Sequence, residues 1–242
     1  MFQASPTSDQ RSSAEASCIL ELAKPKSIYI VSQDTDWGRD TVNSFTRFIG
    51  NIKPVTDYVP SGTTDFSTIL VKIQSLKPDV IYAILTGSEM YSFAEQRYSL
   101  GIPSMLFGAG SSAASDIYIR TIGKDKANKT VVNLVWIPIG EKGEALAAKY
   151  KKLYGSSPAD LEAQNYDAAW LMLDALRRSK STAKADVAAA LLKAEITGLR
   201  GPQKFREEDH TIPGLPFVIG QIQDAKYVAV WPASLAQGKL LR

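Results

Sequence analysis

Five short segments of this chain carry the residue types that could hold a small polar molecule. They are Gln33-Asp34-Thr35-Asp36-Trp37-Gly38, Pro60-Ser61-Gly62-Thr63-Thr64, Thr86-Gly87-Ser88, Ala109-Gly110-Ser111-Ser112 and Trp136-Ile137-Pro138. Glycines and small hydroxyl residues offer backbone N–H groups and hydroxyls, and the two tryptophans offer an aromatic wall. That is the chemistry of reversible binding. Groups that would catalyse are scarce. His210 is the only histidine, and it lies in the polar turn Glu207-Glu208-Asp209-His210-Thr211, where a solvated ring is expected. The one cysteine, Cys18, falls on the apolar face of a predicted helix and reads as a buried structural thiol. One histidine and one cysteine assemble no zinc site, so no metal and no cofactor is expected. No predicted strand runs into G-x-S-x-G, a Walker A loop or G-x-G-x-x-G, and Gly108-Ala109-Gly110 lacks the third glycine. Asp34, Asp36 and Glu89 are carboxylates with nothing in the sequence to pair them for acid–base work.

Each binding candidate has a structural alternative. Trp37 could start the core face of its helix, although a large aromatic beside Gly38 at a strand's end is badly placed for that. Thr86 and Glu89 have the spacing of a capping box. Gly110 to Ser112 could be an ordinary loop, and Trp136 could be packing where the chain crosses between lobes.

These segments follow apolar runs. Ser27 to Ser32, Pro54 to Val59, Val80 to Leu85, Ser104 to Phe107 and Val131 to Ile137 read as strands, mostly of the fully buried parallel kind. Between them, residues 37–49 and 65–76 and the stretch from Thr86 to about Tyr98 have helical periodicity. That alternation predicts an α/β fold with a doubly wound parallel sheet and helices on both faces. In such a sheet ligands bind beyond the carboxyl ends of the strands, where the five segments fall. After Pro138 the texture changes to three successive helices, at 141–154, 158–179 and 183–194. The strands Phe217 to Gln221 and Tyr227 to Trp231 then return, joined by a turn at Asp224. The chain is therefore expected to leave one lobe and come back to it.

Composition narrows the partners. The chain is 45% hydrophobic and 22% charged, with 28 basic and 25 acidic residues and a net charge of +3. The basic residues are scattered, so no nucleic-acid footprint is visible. No apolar run approaches the roughly 20 residues that span a bilayer. Met1 to Pro6 has neither the basic nor the apolar region of an export signal, so the signal peptide is absent from this chain.

Specific strings resemble the type I periplasmic binding proteins, in the Leu/Ile/Val-binding group that serves branched-chain-amino-acid-type ABC importers. Phe2-Gln3-Ala4-Ser5-Pro6-Thr7-Ser8-Asp9-Gln10 looks like that family's first interlobe crossover. Asp36-Trp37-Gly38 is similar to its (Asp/Asn)-Tyr-Gly, and Gly62-Thr63-Thr64-Asp65-Phe66-Ser67 to its G-x-x-D-F-S/T. Pro78-Asp79-Val80-Ile81 and Tyr98-Ser99-Leu100-Gly101-Ile102-Pro103 fit the strand and helix end that follow. Tyr154-Gly155 through Pro158 and Asn165-Tyr166-Asp167-Ala168 resemble the family's return to the first lobe. Gly201-Pro202 through Phe205 looks like the third crossover, and Val230-Trp231-Pro232 like the common ending.

The resemblance implies two lobes that close on a solute by hinge motion, a membrane permease of an ABC importer as partner, and a periplasmic or extracytoplasmic location. Residues 4–132 and 203–231 would form the second ligand-binding lobe, and 133–202 an incomplete helical remnant of the first. Trp37 would wall the cleft, and Thr86, Gly87, Gly110 and Ser111 would hydrogen-bond the ligand, with Trp136 a further candidate at the crossover. Two departures matter. Nothing here corresponds to the strand–helix half that opens the family's first lobe, so the three helices are expected to be covered in a homo-oligomer through residues 141–194. Amino-acid binders of the group resemble one another in an acidic residue after the fourth strand, and Gly110 stands there. A buried ammonium without a counter-charge is costly. The expected ligand is therefore an aromatic acid, another carboxylate or an amide, not an α-amino acid. A ligand-sensing domain of a receptor or regulator on the same fold is the alternative.

Overall fold

The computed structural model describes residues 1–138 and 140–242. The first helix, Ser8–Cys18 (α1), runs on through a π turn at Ile19–Ala23. Ile28–Gln33 (β1), Asp36–Phe48 (α2), Val55–Val59 (β2), Ser67–Leu76 (α3), Val80–Ile84 (β3), Ser88–Ser99 (α4) and Met105–Gly108 (β4) follow in alternation. Asp116–Ile122 (α5) and Lys124–Ala127 (α6) lead to Val131–Asn133 (β5). Next come Gly140–Tyr154 (α7), Asp160–Ser179 (α8), Lys184–Leu191 (α9) and the strands Glu195–Gly198 (β6) and Gly201–Lys204 (β7). Ile219–Gln223 (β8) and Lys226–Trp231 (β9) close the order.

Seven strands form one sheet in the order β2-β1-β3-β4-β5-β8-β9. From β2 to β5 the pairing is parallel, and β1, β3, β4 and β5 are almost wholly buried, as continuous apolar runs require. Strand residues alternate between faces. Ile28, Ile30, Val80, Tyr82 and Phe107 meet Cys18 at the end of α1, Ile19 of the π turn, and Val42 and Phe45 of α2 on one side. Phe45 stacks on Tyr82 with ring centroids 3.8 Å apart. On the other face Lys72 of α3 pairs with Asp57 at 2.8 Å and lies over the Tyr29 ring. Helices thus cover both faces, and the sheet is doubly wound. Its last two strands, the pair expected around a turn at Asp224, are antiparallel additions at the edge of the parallel sheet, β8 running antiparallel to β5 and β9 to β8. The β8–β9 link is a two-residue turn with Asp224 at φ 49° and Ala225 at φ 62°, the positive pair that tight hairpins demand.

The chain divides into two compact units. One comprises Ser8–Leu134 with Val218–Arg242, and the other Met1–Thr7 with Val135–Phe217. This partition differs from the expected 4–132 with 203–231. Residues 203–217 go with the helices because Phe205, Ile212 and Leu215 are buried among Leu171 and Ala175 of α8 and Leu191 of α9, with Phe2 and Ala4 packed against them. The fifth strand is shorter than the expected 131–137. It stops at Asn133, and the next amide, Leu134, donates to the Val218 carbonyl at 2.7 Å.

The helical unit also holds a strand pair that sequence periodicity did not reveal. β6 and β7 are antiparallel, with Gly198 opposite Gly201 across Leu199-Arg200. A carboxylate fixes this hairpin. Asp167 of α8 accepts from the amides of Leu199 (2.7 Å) and Arg200 (3.2 Å), from Arg200 Nε at 3.1 Å and from the Gln203 amide. Arg200 adds bonds to Gln203 Oε1 and the Ala4 carbonyl. A side chain at Gly198 would collide with the Asp167 carboxylate, so glycine is required there.

Candidate functional site

The chain winds outward from β1 to β2, then returns to place β3 on the other side of β1. That reversal makes the carboxyl ends of β1 and β3 the switch point, where adjacent loops turn to opposite faces and leave a crevice. The segments after β1 and β3, joined by the one after β4, are three of the five that the sequence nominated.

Gly38 sets the tight turn out of β1. A Cβ there would run into the Gln33 carbonyl oxygen, so only glycine lets α2 start so close to the strand. Thr35 Oγ1 accepts from the Gly38 amide at 3.0 Å and caps the helix. The turn leaves Trp37 at the start of α2 with 36% of its surface exposed, outside the core. Its ring borders Gly110, where a built Cβ would stand 3.6 Å from Trp37 Cη2 and 3.3 Å from the Leu85 carbonyl oxygen. Gly87, exposed at the end of the β3 loop, donates its amide to Ser112 Oγ at 2.7 Å and so ties that loop to the one after β4. Ser111 starts a 3-10 turn and is half-buried, while Thr86 is exposed. Trp37, Thr86, Gly87, Gly110 and Ser111 are therefore gathered at one end of the sheet.

Beneath them lies a polar relay that the sequence left unpaired. Thr86 Oγ1 donates to Gln33 Oε1 at 3.0 Å, Gln33 Nε2 donates to Glu89, and the Gly62 amide donates to the other Glu89 oxygen. Glu89 is buried, and both its oxygens are engaged. The capping-box expectation for Thr86 and Glu89 is therefore corrected. Gly87, at φ 54°, caps α4 without a side chain, while the two side chains point into the relay. What sequence reasoning missed here is Gln33 and Ser112 as partners. Both stand inside nominated segments, but which segments touch is a long-range fact.

The G-x-x-D-F-S-like string does folding work. Asp65 accepts from the Ser67 amide at the start of α3, which holds its carboxyl below the usual range, and Phe66 is buried edge-on against Phe93. At the rim Asp34 pairs with Arg39 at 2.6 Å, and the Arg39 guanidinium lies over the Tyr58 ring.

Trp136 is in the other unit. It is buried, and its Cζ2 would stand 3.6 Å from a Cβ at Gly143 of α7, which is a packing role. His210, expected to be solvated, stacks on Phe2 at 4.5 Å. Cys18 is buried, and burial pushes its thiol up to about 12, away from reactive thiolate chemistry. Among the described residues no three His, Cys, Asp or Glu side chains group to hold a metal, and no helix is long and apolar enough to cross a membrane.

The periplasmic binding protein family model matches residues 1–226. This chain belongs to that family. The family is one of binding proteins, not enzymes. The chain is 26% identical over 126 residues, 51% of its own length and 34% of the relative's, to the Leu/Ile/Val-binding protein BraC3 of Rhizobium johnstonii. Its fold is similar to that of a leucine-binding protein, LivK, from Thermotoga maritima, with TM-score 0.83 and 21% identity over 93% of this chain and 65% of that one. A solute-binding protein of an R. palustris ABC transporter, solved with benzoate, gives TM-score 0.82 and 19% identity over 95% and 64%. The periplasmic binding protein described here thus spans about a third of the curated relative in that match, and just under two thirds of each of these two solved structures.

Proposed function

We propose that this chain binds a small extracytoplasmic solute without chemical change and delivers it to the permease of an ABC importer. The observation that carries the reading is Trp37, held outside the core at the switch point beside Gly110, with Thr86, Gly87 and Ser111 around it. A flat ring would lie against the indole face, and the neighbouring hydroxyls and amides would take its polar group.

The ligand we favour is an aromatic acid, another carboxylate or an amide. Similar folds hold a benzoate complex and leucine-binding proteins alike, so the fold leaves the solute class open. Gly110 brings no carboxylate to an ammonium, and Glu89 already accepts from Gln33 and Gly62 on both oxygens. In the helical unit Leu153, Tyr154, Leu161, Trp170 and Leu173 are exposed, and we propose that copies associate through residues 141–194. The test of the solute class is a thermal-shift panel of benzoate, aliphatic carboxylates, amides and leucine. It is run on a polypeptide that also carries the first lobe's opening strands. A ligand in excess raises the midpoint by mass action. A rise with carboxylates or amides and none with leucine is expected. The reverse pattern overturns the assignment.

A further inference from the structure

The hydrogen bonds of the relay beneath the switch point have a direction, and it reaches the surface at Thr86. The Gly62 amide can only donate, so the Glu89 oxygen it meets accepts, and the other oxygen accepts from Gln33 Nε2. With its amide nitrogen turned to Glu89, Gln33 offers Oε1 to Thr86, whose hydroxyl donates to it at 3.0 Å. A hydroxyl has one proton. Thr86 has given its own inward, so what it presents from its exposed position is the lone pairs of Oγ1, an acceptor.

The neighbouring segment ends the opposite way. Ser112 Oγ accepts from the Gly87 amide at 2.7 Å, and among the described residues nothing accepts the Ser112 proton, which leaves it a donor. Gly87 follows Thr86 directly, so acceptor and donor stand side by side at the same end of the sheet as Trp37 and Gly110. Charge adds a second argument. The segments 33–38, 86–88 and 109–112 contain Asp34 and Asp36 and no lysine or arginine, and Arg39 beside them is held by Asp34 at 2.6 Å.

We infer, on the proposed solute-binding role of the switch point, that its solute is a neutral primary carboxamide on a flat ring, its N–H donating to Thr86 Oγ1 and its carbonyl oxygen accepting from Ser112. An ionised carboxylate has oxygens that only accept. Set in the same place, it would bring lone pairs against lone pairs at Thr86, with no cation to offset its charge. A site built around a hydrogen bond discriminates strongly against the analogue that cannot make it.

Benzamide and benzoate have nearly the same shape and differ in this one respect, so they are the probes. The full chain, labelled at its tryptophan indole nitrogens, is titrated with each at neutral pH, where a carboxylate is ionised. The indole N–H of Trp37, identified by its loss in Trp37→Ala, reports the site. Benzamide should saturate its shift at a concentration at least ~10-fold lower than benzoate. Glu89→Gln should reverse that order. The Gly62 amide would hold the carbonyl of the introduced amide, whose nitrogen would turn Gln33 over and make Thr86 accept inward and donate outward. Thr86→Val, which keeps the shape and removes the hydroxyl, should bring the two affinities together, and it serves if Glu89→Gln does not fold. A relay that only supports the fold would weaken both probes alike. A Trp37 shift with benzoate equal to or tighter than benzamide in the parent, or a benzamide preference that survives both variants, overturns the carboxamide and leaves the solute site standing. No Trp37 shift with either probe overturns the site itself, and the carboxamide with it.

Discussion

In the sheet-bearing unit the groups without exposure include Ile30, Val31, Tyr82, Ala83 and Phe107; in the helical unit they include Asp167 and Arg200, an ion pair. The first unit is organised mainly by apolar runs, with the Glu15 carboxyl a buried polar exception among them. The second unit has a smaller apolar cluster, a two-stranded hairpin and one carboxylate that satisfies four donors from residues 199–203. An apolar core spreads its stability over many contacts, so one substitution costs a share of it. A buried charge concentrates the cost, because removing one partner leaves the other without compensation.

That contrast predicts a difference in fragility, and the largest effect belongs to the ion pair. Asp167→Ala should cost about 3–5 kcal/mol in urea unfolding, whereas Ile30→Val in the sheet should cost about 0.5–1.5 kcal/mol. Hydrogen exchange should show α8, β6 and β7 losing protection while β1 and β3 keep theirs. Equal costs for the two variants, or uniform loss of protection, would break the comparison.

Next in size is a carboxyl group buried in the sheet unit. Glu15 of α1 accepts from the Tyr82 hydroxyl and from Asn133 Nδ2 at 3.0 Å, with Arg11 nearby and Ser12 alongside. Burial outweighs the Arg11 charge and those hydrogen bonds, and raises its carboxyl from 4.5 to about 7. The native state then holds a proton that the unfolded chain releases. The contribution to stability is complete below about pH 4.5 and is lost as pH rises to about 7. Asp57 and Asp79, whose carboxyls are held low, pull the other way, so the test is a difference. Relative to Glu15→Gln, the parent should lose about 3 kcal/mol between pH 4 and pH 8. A pH-independent difference sinks the assignment of that titration to Glu15.

Smaller in stability, though not in binding, is Trp37. An exposed side chain away from the core changes stability by about 0.5 kcal/mol or less, while loss of the cleft wall should weaken the ligand identified by the panel at least ~10-fold, about 1.4 kcal/mol. Gly110→Glu should also weaken an acidic ligand, by placing a second anion beside it and by crowding the indole. If Trp37→Ala unfolds the protein while Gly110→Glu leaves affinity untouched, the site lies elsewhere.

The last expectation concerns only the helical unit. Light scattering on the chain should show association above the monomer mass, and Leu161→Lys with Leu173→Lys should reduce it. A clean monomer without dye-accessible apolar surface would remove the proposed oligomer.

Much of this was legible in the residues. Ile28 to Val31 and Val80 to Ile84 declare buried strands because a run with no polar side fits only a sheet covered twice. The glycine and hydroxyl segments behind them mark strand ends, where the backbone must turn. Trp37, Thr86, Gly87, Gly110 and Ser111 could be named because each stands beside such an end. Periodicity and turn chemistry are local, so they survive in a one-dimensional reading.

What the tertiary structure alone decided are pairings between residues far apart in the chain. Glu89 is indistinguishable in sequence from a helix-capping acid until Gln33 and Gly62 stand beside it. Trp136 and Trp37 follow strands in the same way, yet one packs by Gly143 and the other stays exposed. β6 and β7 are too short and too rich in glycine and polar residues to show a period, and only Asp167, more than thirty positions away by the bonds it makes, gives them a shape. Residues 203–217 belong with the helices because three apolar side chains, Phe205, Ile212 and Leu215, find their partners there. In each case the deciding energy is a contact across the chain, and side-chain types in order do not encode which distant partner arrives.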